Sequence, residues 1–190
     1  MKAGTFKELV ELVYSDFYRI YPHVPYSYSL MMVLRLYKWG RKEWVFWFRC
    51  AQYKSWWQNV AVRKYRKLSQ RLLIEIPLKT EIGYGLYLGH PRCIVINKGA
   101  RIGNNVNLSQ FLSIGTNNDT PAVIGDCVYI GPMCCLVENV KIGNNATIGA
   151  GAVVVKDVEA NATVAGVPAH ILNYDNPGRF IKNKFEKAGL

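Results

Sequence analysis

The chain has 190 residues, half of them apolar, and 24 Lys and Arg against 13 Asp and Glu give a net charge of +11. That suits one domain, or a domain with an appendage, built on a substantial core. No run of eighteen uncharged apolar residues occurs and acids stand in the opening MKAGTFKELVELVYSD, which argues against a spanning helix and a secretory leader and makes the cytoplasm the expected compartment. Cys50, Cys93, Cys127, Cys134 and Cys135 are odd in number and lack C-x-x-C spacing, so neither a disulfide framework nor a structural zinc site is expected; they are read as space fillers.

Phe6, Leu9, Val10, Val13 and Phe17 recur at spacings of three and four, predicting a helix over 5–19 that Pro22 and Pro25 end. Residues 29–73 read as two or three more helices, with Ser29 as the first cap and Gly40 as a break, and close a helical subdomain over 1–73. Its charge is concentrated. Arg35, Lys38, Arg41, Lys42, Arg49, Lys54, Arg63, Lys64, Arg66, Lys67 and Arg71 face the single acid Glu43, and all five tryptophans, Trp39, Trp44, Trp47, Trp56 and Trp57, lie in the same stretch. Residues 35–72 are either a packed helical unit with its cations in water or one that also meets a membrane surface through indoles and cations. Nucleic acid is not an expected partner, because no nucleic-acid fold signature accompanies the charge.

Pro77 marks the handover to strands. Aliphatic residues then return every sixth position: Ile76, Ile82, Leu88 and Ile94; after an eight-residue stride Ile102, Leu108 and Ile114; after a ten-residue stride Ile124, Ile130, Leu136, Ile142, Ile148 and Val154, with Ala160 closing weakly. Glycine commonly follows, and the fifth position carries a compact residue such as Val106, Val128, Cys134 or Ala152. A 3.6-residue helical period would scatter these side chains, whereas six residues suit one short strand and a corner where glycine or asparagine accepts positive φ. The reading is a mainly β fold, a parallel β-helix over 74–172 with eighteen residues to the circuit and coils roughly 4.8 Å apart. A β-sandwich would need alternation of period two. Pro168 is read as a stop, and the tail 173–190, with Phe180, Ile181 and Phe185 among lysines, as a short terminal helix covering the open end.

The two long strides mark extruded loops, one after Leu88-Gly89-His90-Pro91 and one over Gly115 to Val123, and such loops tend to carry function. His90 is the only histidine in the coil body; His23 and His170 lie outside it. Glu75 precedes His90 by fifteen residues, somewhat less than one circuit, which would set the carboxylate on the adjoining coil near the same corner. A histidine oriented by a carboxylate takes a proton from an alcohol at neutral pH. A lone histidine on a turn is also a common surface or packing residue, and spacing leaves both readings open.

Glu75-Ile76, Ile82 to His90, Ile94 to Asn97, Leu108-Ser109-Gln110, Ile114-Gly115-Thr116, Ile124-Gly125-Asp126, Ile148 to Val154 and Ala165-Gly166-Val167-Pro168-Ala169 together resemble the hexapeptide-repeat acyltransferases. The similarity is to the branch of serine acetyltransferase and its relatives that acetylate capsule or exopolysaccharide sugars. It implies a left-handed coil, an exception to the usual crossover preference, and a homotrimer with active sites between neighbours. It also implies acetyl-CoA as cosubstrate and no metal. By resemblance His90 is the general base and Glu75 its acidic partner. Gly115, Thr116, Gly131, Pro132, Met133, Gly149, Ala150, Gly151, Val155 and Lys156 match cofactor-binding stretches, and Arg92, Asn97 and Gln110 are candidates for the acceptor. A backbone N–H near Gly115 is the expected oxyanion donor. His170 stands where relatives usually carry arginine.

Serine acetyltransferases hold their amino acid with an aspartate before the catalytic histidine, an arginine and second histidine in the long loop, and an R-D-P motif; here those places read Gly89, Asp119 with Thr120, and roughly Tyr21 to Pro25. Charge-assisted contacts contribute about 1.5–3 kcal/mol each, so a sugar hydroxyl of a surface polysaccharide or its lipid-linked precursor is the expected acceptor, and L-serine the alternative. A zinc-dependent solenoid would need three converging histidines, and a non-catalytic scaffold would transfer no acetyl group.

Overall fold

A computed structural model describes residues 2–26, 31, 33–35, 43–117 and 120–187. Ser29, Lys38, Trp39, Gly40, Arg41, Lys42 and Asp119, singled out above, lie outside the described residues. Among those described, helices α1 (Phe6–Tyr18), α2 (Glu43–Gln52) and α3 (Gln58–Leu72) precede fifteen short strands. Sheet A stacks β1 (Ile74–Glu75), β4 (Ile94–Ile96), β7 (Ser113–Gly115), β10 (Cys135–Val137) and β13 (Val153–Val154). Sheet B stacks β2 (Glu81–Ile82), β5 (Arg101–Ile102), β8 (Val123–Ile124) and β11 (Lys141–Ile142), and sheet C β3 (Tyr87–Leu88), β6 (Asn107–Leu108), β9 (Tyr129–Ile130), β12 (Thr147–Ile148) and β14 (Thr163–Gly166). Every pairing among these strands is parallel, giving the three-sided left-handed β-helix.

The periodicity is correct in kind and shifted at two places. Ile96, not Ile94, pairs with Ile114, and Ile94 fills the inward position before it, so the eight-residue stride falls between Leu88 and Ile96 at the His90 corner. At the far end Val158 bridges Ile142 and Val164 pairs with Ile148, while Ala160 is exposed. Glu75 faces Val95, Ser113 faces Cys135 and Cys135 faces Val153, so circuits run to 20, 22 and 18 residues as the loops come and go. The interior is mainly aliphatic: Ile76, Ile82, Leu88, Leu108, Ile130 and Ile148 are fully buried, each contributing about 1.5–3 kcal/mol.

The expected corners where glycine or asparagine accepts positive φ are present, but the glycines that directly follow the aliphatic positions have another cause. Positive φ falls three residues later, at Gly85, Asn105, Cys127, Asn145 and Asn161 on one corner and at Phe111, Met133 and Gly151 on another. Gly103 and its equivalents instead permit close stacking, since a Cβ on Gly103 would sit 2.6 Å from the carbonyl oxygen of Gly125 in the next coil, and one on Gly131 would sit 2.8 Å from the Ala150 nitrogen.

The helical part docks through buried polar groups. Thr5 and Glu8 form a reciprocal cap that starts α1. Arg49 from α2 donates to both carboxylate oxygens of Asp16 in α1, at 2.8 and 3.1 Å, and to the carbonyls of Ile82 and Gly83; Asp16 also accepts from the Leu86 N–H at 2.7 Å. Burial pushes the Asp16 carboxyl up and the Arg49 charge opposes it. Arg19 donates to Gly85 O, Asn107 Oδ1 and Lys182 O, and burial lowers it to about 10.

The C-terminal tail departs from the expected helix. Past Pro168 the chain turns back as β15 (Ala169–Asn173), antiparallel to β14, so Pro168 ends the parallel solenoid without stopping the sheet. Residues 174–186 then run along the corner between sheets B and C in irregular form. Their backbone is satisfied by turns, by the coil and by side chains in place of a helical ladder: Gly178 N donates to Asn145 O, Asn105 makes two bonds to Phe185, at 2.8 and 3.0 Å, and Asn107 donates to Phe180 O. Phe185 packs against Tyr14, Tyr18 and Tyr84, tying the tail to α1.

Candidate functional site

The corner between sheets C and A gathers most of the residues singled out from the sequence. His90 is exposed where the chain leaves β3, its carbonyl accepting from the Arg92 N–H at 2.8 Å. The coils below stack on this corner through Phe111 N to Arg92 O (3.1 Å), Met133 N to Gln110 O (3.0 Å) and Gly151 N to Pro132 O (2.9 Å). His90, Arg92, Gln110, Gly131, Pro132, Met133, Gly149, Ala150 and Gly151 therefore form one continuous edge. Phe111 also belongs to it and was missed: it is 56 % exposed with φ 57°, a bulky apolar side chain in a left-handed corner slot, which is the signal that could have found it.

The remaining candidates line the opposite edge of sheet A. Asn97 turns its Oδ1 onto the Gly99 N–H at 2.8 Å, a local turn contact. Thr116 Oγ1 donates to Glu138 Oε2 at 2.8 Å, and the Glu138 N–H donates to Gly115 O at 2.9 Å; Val155 and Lys156 are exposed one coil on. Glu138 was also missed, although an acid directly after a solenoid strand is legible. Between the two edges the outer face of sheet A presents Glu75, Val95, Ser113, Cys135 and Val153, a strip three residues or about 10 Å wide.

Glu75 and His90 occupy adjoining coils on either side of the Arg92–Cys93 corner, where Cys93 N donates to Leu72 O. With a first circuit of 20 residues, Glu75 lies opposite Val95, five residues past His90 along the chain. Among the described residues of one protomer no hydrogen bond joins them, and both side chains face solvent. Gly115, the expected oxyanion donor, likewise lies across the strip from His90.

The site is open and shallow. Beyond Gly115 and Gly151 an added Cβ would meet no atom within 4 Å, so both backbones are bare to an incoming ligand. A Cβ on Gly89 would touch only Tyr87 Cε1, at 3.5 Å, so there is room for a side chain beside His90 and none is present. Cys134 is buried, its thiol raised by burial and directed to Gly149 O at 3.1 Å, which removes it as a nucleophile. The described residues contain no group of three or more side chains placed to hold a metal ion.

Known proteins share this fold and part of this sequence. The family described as Bacterial transferase hexapeptide (six repeats) matches residues 121–156. A serine acetyltransferase of Staphylococcus epidermidis is 30% identical over 180 residues, 92% of this chain and 83% of that protein. The chain belongs to the serine acetyltransferase family of hexapeptide-repeat acyltransferases. Serine acetyltransferase 3, mitochondrial, of Arabidopsis thaliana is 35% identical over 133 residues, though this member of the family spans only 34% of that relative's length. Among solved structures, soybean serine acetyltransferase superposes with TM-score 0.68 at 26% identity, covering 86% of this chain and 69% of that one. The Neisseria gonorrhoeae enzyme in complex with serine does so with TM-score 0.61 at 30% identity, covering 86% and 68%. No described helix of this acyltransferase is long and apolar enough to cross a membrane.

Proposed function

We propose that this protein transfers an acetyl group from acetyl-CoA to a hydroxyl, with His90 as the general base. The observation that supports the reading is the continuous edge: an exposed imidazole stands at the head of a row of stacked corners that ends at Gly151, whose backbone is bare, which suits a long, narrow thioester lying along successive coils. His90 removes the hydroxyl proton as the oxygen attacks the thioester carbonyl, a C–O bond forms, the C–S bond breaks, and the imidazolium returns the proton to the departing thiolate. Glu75 orients the imidazole once substrate or a neighbouring chain draws the corner in. Three chains are expected to assemble, which brings one protomer's His90 edge towards a neighbour's Gly115 and Lys156 edge and supplies the oxyanion donor that a single chain does not. Lys156 would meet a CoA phosphate. Since acetyl-CoA is an intracellular donor, the cytoplasm is the proposed compartment.

L-serine is the acceptor that the relatives' names favour and is the first reading. A sugar hydroxyl is the second, supported by a specific observation: beside His90 the chain offers Gly89, with space for an anionic side chain and no charge to meet an ammonium group. Thiol release from acetyl-CoA, measured with L-serine and with capsule-type saccharides, tests both. Release dependent on serine supports the first, release dependent only on a saccharide supports the second, and absence of acceptor-dependent release from the whole panel overturns the transferase reading.

A further inference from the structure

We propose that the outer face of α3, together with Trp56, docks this protein on an anionic lipid surface. The inference is independent of the acceptor and of the transfer step. Helix α3 buries Ala61, Tyr65 and Leu68 against the body of the protein and leaves Arg63, Lys64, Arg66, Lys67 and Arg71 exposed on its other side, with no acid anywhere between Gln58 and Leu72. Among the described residues only Arg71 of these five has an ion-pair partner, Glu43 at a loose 3.7 Å. Arg49, from the same basic segment, is spent internally on Asp16. Apart from Arg71, the charge on α3 thus has no ion-pair partner among the described residues and lies on one face.

Apolar groups at the same place decide between a lipid surface and a soluble polyanion. Trp56, in the turn leading into α3, is 94% exposed beside Lys54, and Val60 on the first turn is 53% exposed. In this they contrast with Trp44, which is buried, stacked on Phe48 and hydrogen-bonded to Ser69. An acidic polymer in water would use the cations and gain little from an indole projecting past them. A bilayer interface uses both, since it takes the ring at headgroup depth while the cations meet lipid phosphates. Three copies in a trimer would multiply the attraction.

The experiment is co-sedimentation of the full chain with phosphatidylcholine vesicles, with and without about one quarter phosphatidylglycerol. Binding is expected to the anionic vesicles and to weaken sharply at high salt. Each cation near such a surface contributes about fivefold, so Arg63→Gln with Lys67→Gln lowers partitioning by about 25-fold, and Trp56→Ala lowers it by at least about tenfold. Brominated lipid should quench a part of the tryptophan emission that Trp56→Phe lacks. These positions are exposed and outside the transfer site, so circular dichroism and thiol release in solution stay as in the parent chain. The proposal is overturned by equal binding to neutral vesicles, by binding to a soluble polyanion such as heparin without binding to vesicles, or by variants that change only the oligomeric state.

Discussion

Removing Arg49 tests how the helical part is held to the solenoid. Arg49→Met keeps much of the volume and deletes every donor of the guanidinium, leaving Asp16 with the Leu86 N–H alone and the carbonyls of Ile82 and Gly83 without that partner. Both side chains of the pair are almost wholly inaccessible, at 0% and 5%. A buried charge stripped of its partner costs about 3–5 kcal/mol, and in a chain of this size that lowers Tm by roughly 6–20 °C at about 2–4 °C per kcal/mol. Asp16→Leu should cost a similar amount, because it strands the guanidinium and orphans the Leu86 N–H. The double variant Arg49→Met, Asp16→Leu should cost much less than the two singles together, since no unpaired charge remains. Urea denaturation gives all three values, provided the slope of free energy against denaturant stays that of the parent chain. An Arg49→Met variant within about 1 kcal/mol of the parent, or a double variant costing the full sum, would refute the pairing as the docking device.

Two further perturbations separate structural from functional positions. Gly103→Ala places a Cβ against the Gly125 backbone and should cost about 1–3 kcal/mol in denaturation, whereas Gly115→Ala meets open space and should stay within about 0.5 kcal/mol while raising the KM for acetyl-CoA; equal stability of the two variants would contradict the stacking explanation. Burial pushes the Cys50 thiol up to about 12, above the ordinary value of 9, so its contribution to stability is full below pH 9 and is lost as the pH climbs through 12. Alkylation between pH 8 and 9 should therefore spare Cys50 in the native protein, and the denaturation midpoint should fall above pH 9 more steeply than in Cys50→Ala; labelling of Cys50 without unfolding would count against this.

The solenoid was legible because a six-residue repeat is a local signal carried by Ile82, Leu88, Leu108, Ile130 and their kin. Its register was less so. Both Ile94 and Ile96 are aliphatic, and only pairing with Ile114 decides between them; Val158 and Ala160 pose the same choice near the last coil. The left-handed corners at Gly85, Asn105 and Asn145 match the expectation, whereas Gly103 answers to a close backbone approach; both demands select a small residue, and only the coil against Gly103 shows which applies there. The docking network of Asp16, Arg19 and Arg49 joins residues up to 163 positions apart and has no sequence period, so Arg49 is indistinguishable in sequence from the other cations of the basic segment and nothing marks Asp16 or Arg19. The tail differs for a related reason: Phe180, Ile181 and Phe185 among lysines suggest a short helix, yet the Phe180 and Phe185 backbones are held singly by Asn107 and Asn105 along a solenoid corner. At the site, the corner that gathers His90, Arg92, Gln110 and Met133 follows from the stacking of successive coils, which sequence order alone does not display. Nor does it show that Asn97, Thr116 and Lys156 occupy the other edge.

The decisive measurement is acceptor-dependent thiol release by His90→Ala beside the parent chain, with acetyl-CoA affinity determined on both. A general base in this position requires kcat to fall by about 10² to 10⁴ while the Kd for acetyl-CoA and the circular dichroism spectrum stay unchanged. Turnover by His90→Ala equal to that of the parent would contradict it.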